Sequence, residues 1–139
     1  MTLQKIQIKN FKSIKEATLT LQPLNLLLGV NGAGKSNFVQ FFQLVNQLYE
    51  KRLQTYVVSH GKADGFLHHG SQYSDSLSGG LTFKTNEDNL INTYQFKLIP
   101  SNNGNLVIDT EKYGYKKAKT WQLKKNSGLE ESKVSESRE

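Results

Sequence analysis

The stretch "LNLLLGVNGAGKSNF", residues 24–38, decides how the rest of this chain is read. It opens on a short, almost continuously apolar run, the pattern of a strand buried on both faces. Gly29 to Ser36 then fits G-x-x-x-x-G-K-[ST]. Gly29, Gly32 and Gly34 allow backbone conformations that a Cβ would block, so consecutive N–H groups point into one concavity suited to an anion. Lys35 brings a mobile cation to the β- and γ-phosphates of a nucleotide, and Ser36 offers a hydroxyl to its Mg²⁺. After Gly34 the period changes. Phe38, Phe41, Phe42, Val45, Leu48 and Tyr49 recur at three- and four-residue spacing, which predicts a helix running to about Arg52. A buried strand, a glycine-rich turn and an amphipathic helix form the setting a phosphate-binding loop requires.

Outward from this stretch, Ile6 and Ile8 alternate with polar residues, and Leu19 and Leu21 repeat the pattern. With "NFKSIKE" between them they predict a hairpin of two half-buried strands. Residues 53–80 are mixed and glycine-rich, predicting loop with short helix. Beyond Gly80, "LTFKT", "INTYQFKLI", "NLVIDTE" and "YKKAKTWQL" read as an antiparallel meander, with "NEDN" and "PSNNGN" as turns between the first three. The last fourteen residues hold no aromatic and are mostly serine and charge, so 126–139 is expected to be an unstructured polar tail.

With 139 residues, the chain has room for one domain. It contains no cysteine, which excludes disulfides and thiolate metal sites. No apolar run approaches the ~18 residues of a membrane span, and the lysine-interrupted N-terminus lacks a signal-peptide apolar block. A cytoplasmic protein that makes no membrane contact is expected. The net charge of +6 is local. Lys112, Lys116, Lys117, Lys119, Lys124 and Lys125 fall in one segment without an acid. Outside it, twelve of the eighteen basic residues face twelve acidic ones. Tyr113, Tyr115 and Trp121 lie among those lysines, a mixture that suits either phosphate contacts with base stacking or a solvated edge strand.

Residues 3–50, "IQIKNFKSIKEATLTLQPLNLLLGVNGAGKSNF" above all, resemble the start of ABC-type ATPases of the SMC, RecF and OLD-like group. The features are a first strand ending in "NFKSI", a second strand, and a G-x-N-G-x-G-K-S-N loop in which Asn31 and Asn37 distinguish this group from a generic P-loop. The resemblance implies ATP and Mg²⁺ as ligands, held by Gly29, Val30, Asn31, Gly32, Ala33, Gly34, Lys35, Ser36 and Asn37, with Ser36 toward the metal. It makes Lys12 and Ser13 candidate neighbours of the base or ribose, and Gln72 a candidate Q-loop glutamine. It also implies ATP sandwiched between two heads, a homodimer or this chain's own second lobe as partner, and DNA as a possible further partner.

Two other segments imitate that group's motifs. "LSGG", Leu77–Gly80, spells a signature sequence, but "LTFKTNEDN" after it has strand rather than helix character. "LVIDTE", Leu106–Glu111, imitates a Walker B strand, with Thr110 where the general-base glutamate should stand. Both are read as parts of the meander, and no residue is assigned a catalytic role. His60, His68 and His69 lack a ligand-spaced partner and are read as loop histidines. No N-K-x-D motif for guanine is present, and Arg52 and Arg138 are too few for an arginine-rich lid. The expected fold is α/β, a P-loop NTPase half-domain: a mixed sheet around the P-loop strand, the helix from Lys35 packed on it, and an antiparallel β lobe. Residues 1–125 would form the first lobe of an ATP-binding head without its Walker B lobe. Alternatives are a non-catalytic nucleotide-binding module and an ABC transporter-type ATPase subunit.

Overall fold

The computed structural model describes residues 2–21, 35–85, 90–117 and 119–135. Strands β1 (Thr2–Phe11) and β2 (Ile14–Thr20) form the expected hairpin. Three helices follow: α1 (Lys35–Tyr49), α2 (Leu53–Ser59) and α3 (Lys62–Phe66). The meander comprises β3 (Leu77–Lys84), β4 (Ile91–Pro100), β5 (Leu106–Lys117) and β6 (Thr120–Leu129). The six strands make one sheet in the order β2-β1-β3-β4-β5-β6, with every described pairing antiparallel. The hairpin and the meander were expected as separate units. They are joined by β1 pairing with β3, which puts Ile6 opposite Leu81 and Ile8 opposite Gly79. Alternation reveals which residues share a face, but not which strand lies alongside, so this junction was not legible. The strand expected at residues 24–29, and with it the mixed character of the sheet, lies outside the described residues.

The helices cover one face of the sheet. In-register rows on that face run Ile6, Leu81, Tyr94, Tyr113 and Ile8, Gly79, Phe96, Glu111. Helix α1 lays Phe41, Leu44 and Leu48 against them, all fully buried, at the spacing that brings one stripe inward. Phe41 stacks on Phe96 with ring centroids 6.1 Å apart and meets Phe11 edge-on at 5.8 Å. Val39, on the opposite side of the helix, stays half exposed. The helix stops at Tyr49, the last residue of its apolar pattern and short of the end expected near Arg52. Lys51 takes the left-handed conformation at φ 58 and the Arg52 N–H reaches back to the Gln47 carbonyl, a termination more often assigned to glycine.

The polar tail expected from residue 126 is not loose where it is described. Residues 126–129 continue β6, and the chain then returns across β5 and buries Ser132. The Ser132 hydroxyl and the Lys133 N–H (3.0 Å) both donate to the fully buried Glu111 carboxylate, which also accepts the Tyr94 hydroxyl at 2.7 Å. Gln54 of α2 adds donations to the carbonyls of Leu106 at 2.7 Å and Glu130 at 2.9 Å. A polar, serine-rich segment is ordered here because its hydrogen-bonding groups meet a buried carboxylate, a partner that hydrophobic periodicity does not reveal.

Burial, followed by the Glu111 charge, pushes the Tyr94 hydroxyl well above the ordinary tyrosine range. A raised folded-state pKa leaves this contribution to stability intact below the unfolded value near 10 and erodes it as pH rises beyond that value. Alkaline unfolding should therefore steepen above pH ~10, and Tyr94→Phe should reduce the slope by up to about 1.4 kcal/mol per pH unit. Urea titrations of both proteins between neutral and alkaline pH measure the difference.

Candidate functional site

Lys35 and Ser36 occupy the first turn of α1 and are exposed. That turn carries no acidic residue, so no carboxylate on the turn itself opposes the helix's positive end and the Lys35 ammonium. Asn37, next along, donates from Nδ2 to the Ser13 hydroxyl at 2.6 Å. This bond brings the β1–β2 turn against the first turn of α1. Gly29, Val30, Asn31, Gly32, Ala33 and Gly34 lie outside the described residues.

The turn that holds Ser13 is fixed from its other side as well. Asn10 and Lys12 both take left-handed backbone conformations, at φ 58 and 51. The Lys12 N–H donates to Phe66 O at 2.7 Å, the His68 N–H donates to Asn10 O at 3.0 Å, and His68 Nδ1 lies 2.6 Å from Lys12 O. Since a carbonyl can only accept, that last contact places the ring proton on Nδ1. The Lys12 ammonium lies 5.1 Å from the centroid of Phe66 and 5.9 Å from that of Phe11. Burial against these rings lowers its pKa. Lys12 thus has its side chain over the aromatic cluster, while its backbone carries the turn.

Gln72 is exposed on the next loop. The loop is anchored by Asp64, which accepts Ser71 Oγ at 2.6 Å and Ser71 N at 2.8 Å, and by Ser74 Oγ donating to His68 O at 2.6 Å. The Ser71 hydroxyl, then its N–H, hold the Asp64 carboxyl below the ordinary aspartate range. The structure therefore brings Ser13, Asn37 and the Lys12 backbone together. Gln72 is connected to them through His68, one anchor further out. The sequence offers His68 only as a loop histidine, and its part in holding this turn has no signal in sequence spacing.

The imitation motifs lie in the meander. Leu77–Gly80 is strand, within β3, and Leu106–Glu111 is strand, within β5. Asp109 pairs loosely with Lys97 at 3.9 Å, while Glu111 is enclosed by the tail. His60 packs on Tyr56 and contacts Tyr56 O through Nδ1 at 2.8 Å. Among the described residues, no three of His, Cys, Asp or Glu cluster as metal ligands, and no helix is long and apolar enough to cross a membrane.

Comparison with known proteins identifies a family for the chain. Residues 1–136 match the family described as AAA ATPase domain. The chain is 34% identical over 95 residues to the DNA replication and repair protein RecF of Cronobacter sakazakii, covering 66% of this chain and 27% of that protein. It is likewise 34% identical over 95 residues to the chromosome partition protein Smc of Methanocaldococcus jannaschii, covering 66% of this chain and 8% of that one. The chain thus spans only a minor part of either relative. A solved structure from work on ATP-driven dimerization and DNA-stimulated activation of SMC ATPases shares the fold. It aligns at a TM-score of 0.52 and 17% identity, over 86% of this chain and 72% of that one.

Proposed function

Because the chain belongs to the AAA ATPase domain family, in its SMC- and RecF-like branch, we propose that it binds ATP with Mg²⁺ through residues 29–37. The observation that carries this reading is the exposed Lys35–Ser36 pair on an acid-free first turn of a fifteen-residue helix, immediately after the glycine-rich sequence Gly29–Gly34. That arrangement suits a triphosphate: Lys35 reaches the outer phosphates, Ser36 faces the metal, and the loop's N–H groups hold the remaining oxygens. When bound, Mg²⁺ neutralises charge on the phosphates. Asn37 orients the Ser13 turn toward the same end of α1, which supports Ser13 and Lys12 as the side of the site nearest the base or ribose.

The reading extends to assembly. Turnover needs a carboxylate to hold the metal's water shell and another to activate the attacking water. Neither Asp109, paired with Lys97, nor Glu111, enclosed by Tyr94, Ser132 and Lys133, suits those tasks. We read the chain as the nucleotide-binding lobe of a head whose hydrolytic residues come from a second lobe or a second head, coupled to DNA handling. On its own it would bind ATP without turning it over.

Calorimetric titration with Mg–ATP tests the cradle. Removing a charge-assisted contact worth ~1.5–3 kcal/mol should make Lys35→Ala bind about 10–100-fold more weakly than wild type. Equal affinity would overturn the reading. A turnover assay on both proteins tests the division of labour. Sustained hydrolysis that Lys35→Ala abolishes would return Asp109 and Glu111 to consideration as catalytic carboxylates.

A further inference from the structure

The sheet face turned away from the helices carries a trough of about 480 Å³ that the nucleotide reading does not use. Its floor is Gly80. A Cβ there would lie 3.1 Å from Gln7 Oε1 and 3.7 Å from Gln95 Cγ, so the glycine keeps a gap open between two amide side chains. Register extends that row from Gln7 and Gly80 through Gln95 and Lys112 to Lys125. The next row places Lys9, Ser78, Lys97 and Thr110 side by side. Four lysines from four different strands therefore rim one depression floored by glycine and amides. Glu16 at one end and Asp109 beside Lys97 are the nearby acids.

Two features show that these lysines do more than protect a sheet edge. Lysine that protects a sheet from aggregation belongs on edge strands, yet Lys9, Lys97 and Lys112 stand on interior strands, and only Lys125 is at an edge. Lys112 also sits directly opposite Lys125, a like-charge cross-strand pair that costs stability unless an anion lies between them. The fold, moreover, divides the lysine-rich segment. Lys124, Tyr113 and Tyr115 line the helix-side face, and the Tyr113 hydroxyl donates to Lys133 O at 3.4 Å, so these tyrosines are not aligned with the trough as stacking platforms.

We propose that this trough is a binding site for the phosphate backbone of nucleic acid, contacted by Lys9, Lys97, Lys112 and Lys125 with Gln7 and Gln95 as amide donors. Recognition there is by charge, since the lysines supply phosphate contacts and the tyrosines Tyr113 and Tyr115 lie on the other face. The inference deepens the DNA-handling part of the proposed function. It does not depend on the nucleotide cradle at the start of α1.

Fluorescence anisotropy with a labelled mixed-sequence duplex of about 20 base pairs, at about 50 to 200 mM salt, tests it. Four phosphate contacts give a log–log salt slope of about −3.6, which is roughly 150-fold weaker binding across that range. The pair Lys112→Glu and Lys125→Glu should weaken binding at least ~30-fold at the lower salt and roughly halve the slope, and Gly80→Glu should weaken it about tenfold. Lys124→Glu, the same charge change on the opposite face, should stay within about threefold. Thermal melting by circular dichroism accompanies each variant, and Lys9→Gln with Lys97→Gln serves as a milder second pair. The proposal is overturned if wild type does not bind at the lower salt, if Lys124→Glu loses as much as the trough variants, or if both trough pairs bind like wild type. Displacement of the duplex by polyglutamate at equal charge would also overturn it, by making the face a site for acidic protein. Mg–ATP affinity measured on the same variants should be unchanged. A loss of duplex binding with ATP binding intact separates failure here from failure of the cradle.

Discussion

Glu111→Ala should lower the unfolding free energy by about 3–5 kcal/mol, far more than a typical substitution in a strand. The carboxylate is fully buried and accepts from three donors: the Tyr94 hydroxyl, the Ser132 hydroxyl and the Lys133 N–H. Alanine leaves each donor without its partner, at ~1–3 kcal/mol for each buried group that water cannot reach. The tail should then detach, since Ser132 and Lys133 are fastened there, and the Tyr113 hydroxyl would lose Lys133 O as well. Glu111→Gln keeps the volume but sets an amide donor against existing donors, so it should fall between wild type and alanine. Urea unfolding gives the energies, and amide exchange at residues 126–135 reports the tail. Wild-type stability in Glu111→Ala, with the tail still protected, would show that the carboxylate holds nothing.

That carboxylate also shows where sequence reasoning stops. Reading "LVIDTE" as strand rather than a Walker B motif needed only local information, because Thr110 stands where a catalytic glutamate should and the flanking residues alternate. What Glu111 does instead depends on Ser132 and Lys133, more than twenty residues downstream in a segment with no hydrophobic period. Helix α1 was legible because apolar residues from Phe38 to Tyr49 recur over several turns, although that pattern included Phe41 and Leu48 of the buried stripe and not Leu44. Short helix was expected within residues 53–80, but α2 and α3 could not be placed there, since seven and five residues give periodicity too little length to fix their bounds. The Lys35–Ser36 pair was legible because a phosphate loop is contiguous in sequence. The Asn37–Ser13 bond joins residues 24 apart and was approached only through family resemblance. The lysine trough was hidden for the same reason. Counting charge along the chain found the segment from Lys112 to Lys125, but the fold turns Lys124 away and recruits Lys9 and Lys97 from other strands.

Gly79→Val should cost about 4 kcal/mol or more, above the ~1–3 kcal/mol of ordinary overpacking, because two rings face the same absent side chain. A Cβ at Gly79 would lie 2.4 Å from Phe96 Cζ and 2.8 Å from Phe41 Cε2, closer than carbon atoms approach. Neither ring can swing into solvent. Phe41 is fully buried and Phe96 nearly so, and they stack on one another while Phe41 also meets Phe11 and Phe42. Relief would have to come from lifting α1 off the sheet. Since Lys35 and Ser36 open that helix, weaker Mg–ATP binding should accompany the loss of stability. The adjacent glycine provides an internal control. Gly80 faces the trough, where a new Cβ comes tightest, at 3.1 Å, against the movable end of the Gln7 side chain and stays at ordinary contact distance from Gln95 Cγ, and valine suits a strand. Gly80→Val should therefore stay within about 1 kcal/mol of wild type. Denaturant unfolding of the two variants decides the matter. If they lose stability equally, Gly79 of this chain's "LSGG" is not explained by packing of Phe41 and Phe96 on β3. If only Gly79→Val collapses, that glycine is there because α1 rests directly on the strand beneath it.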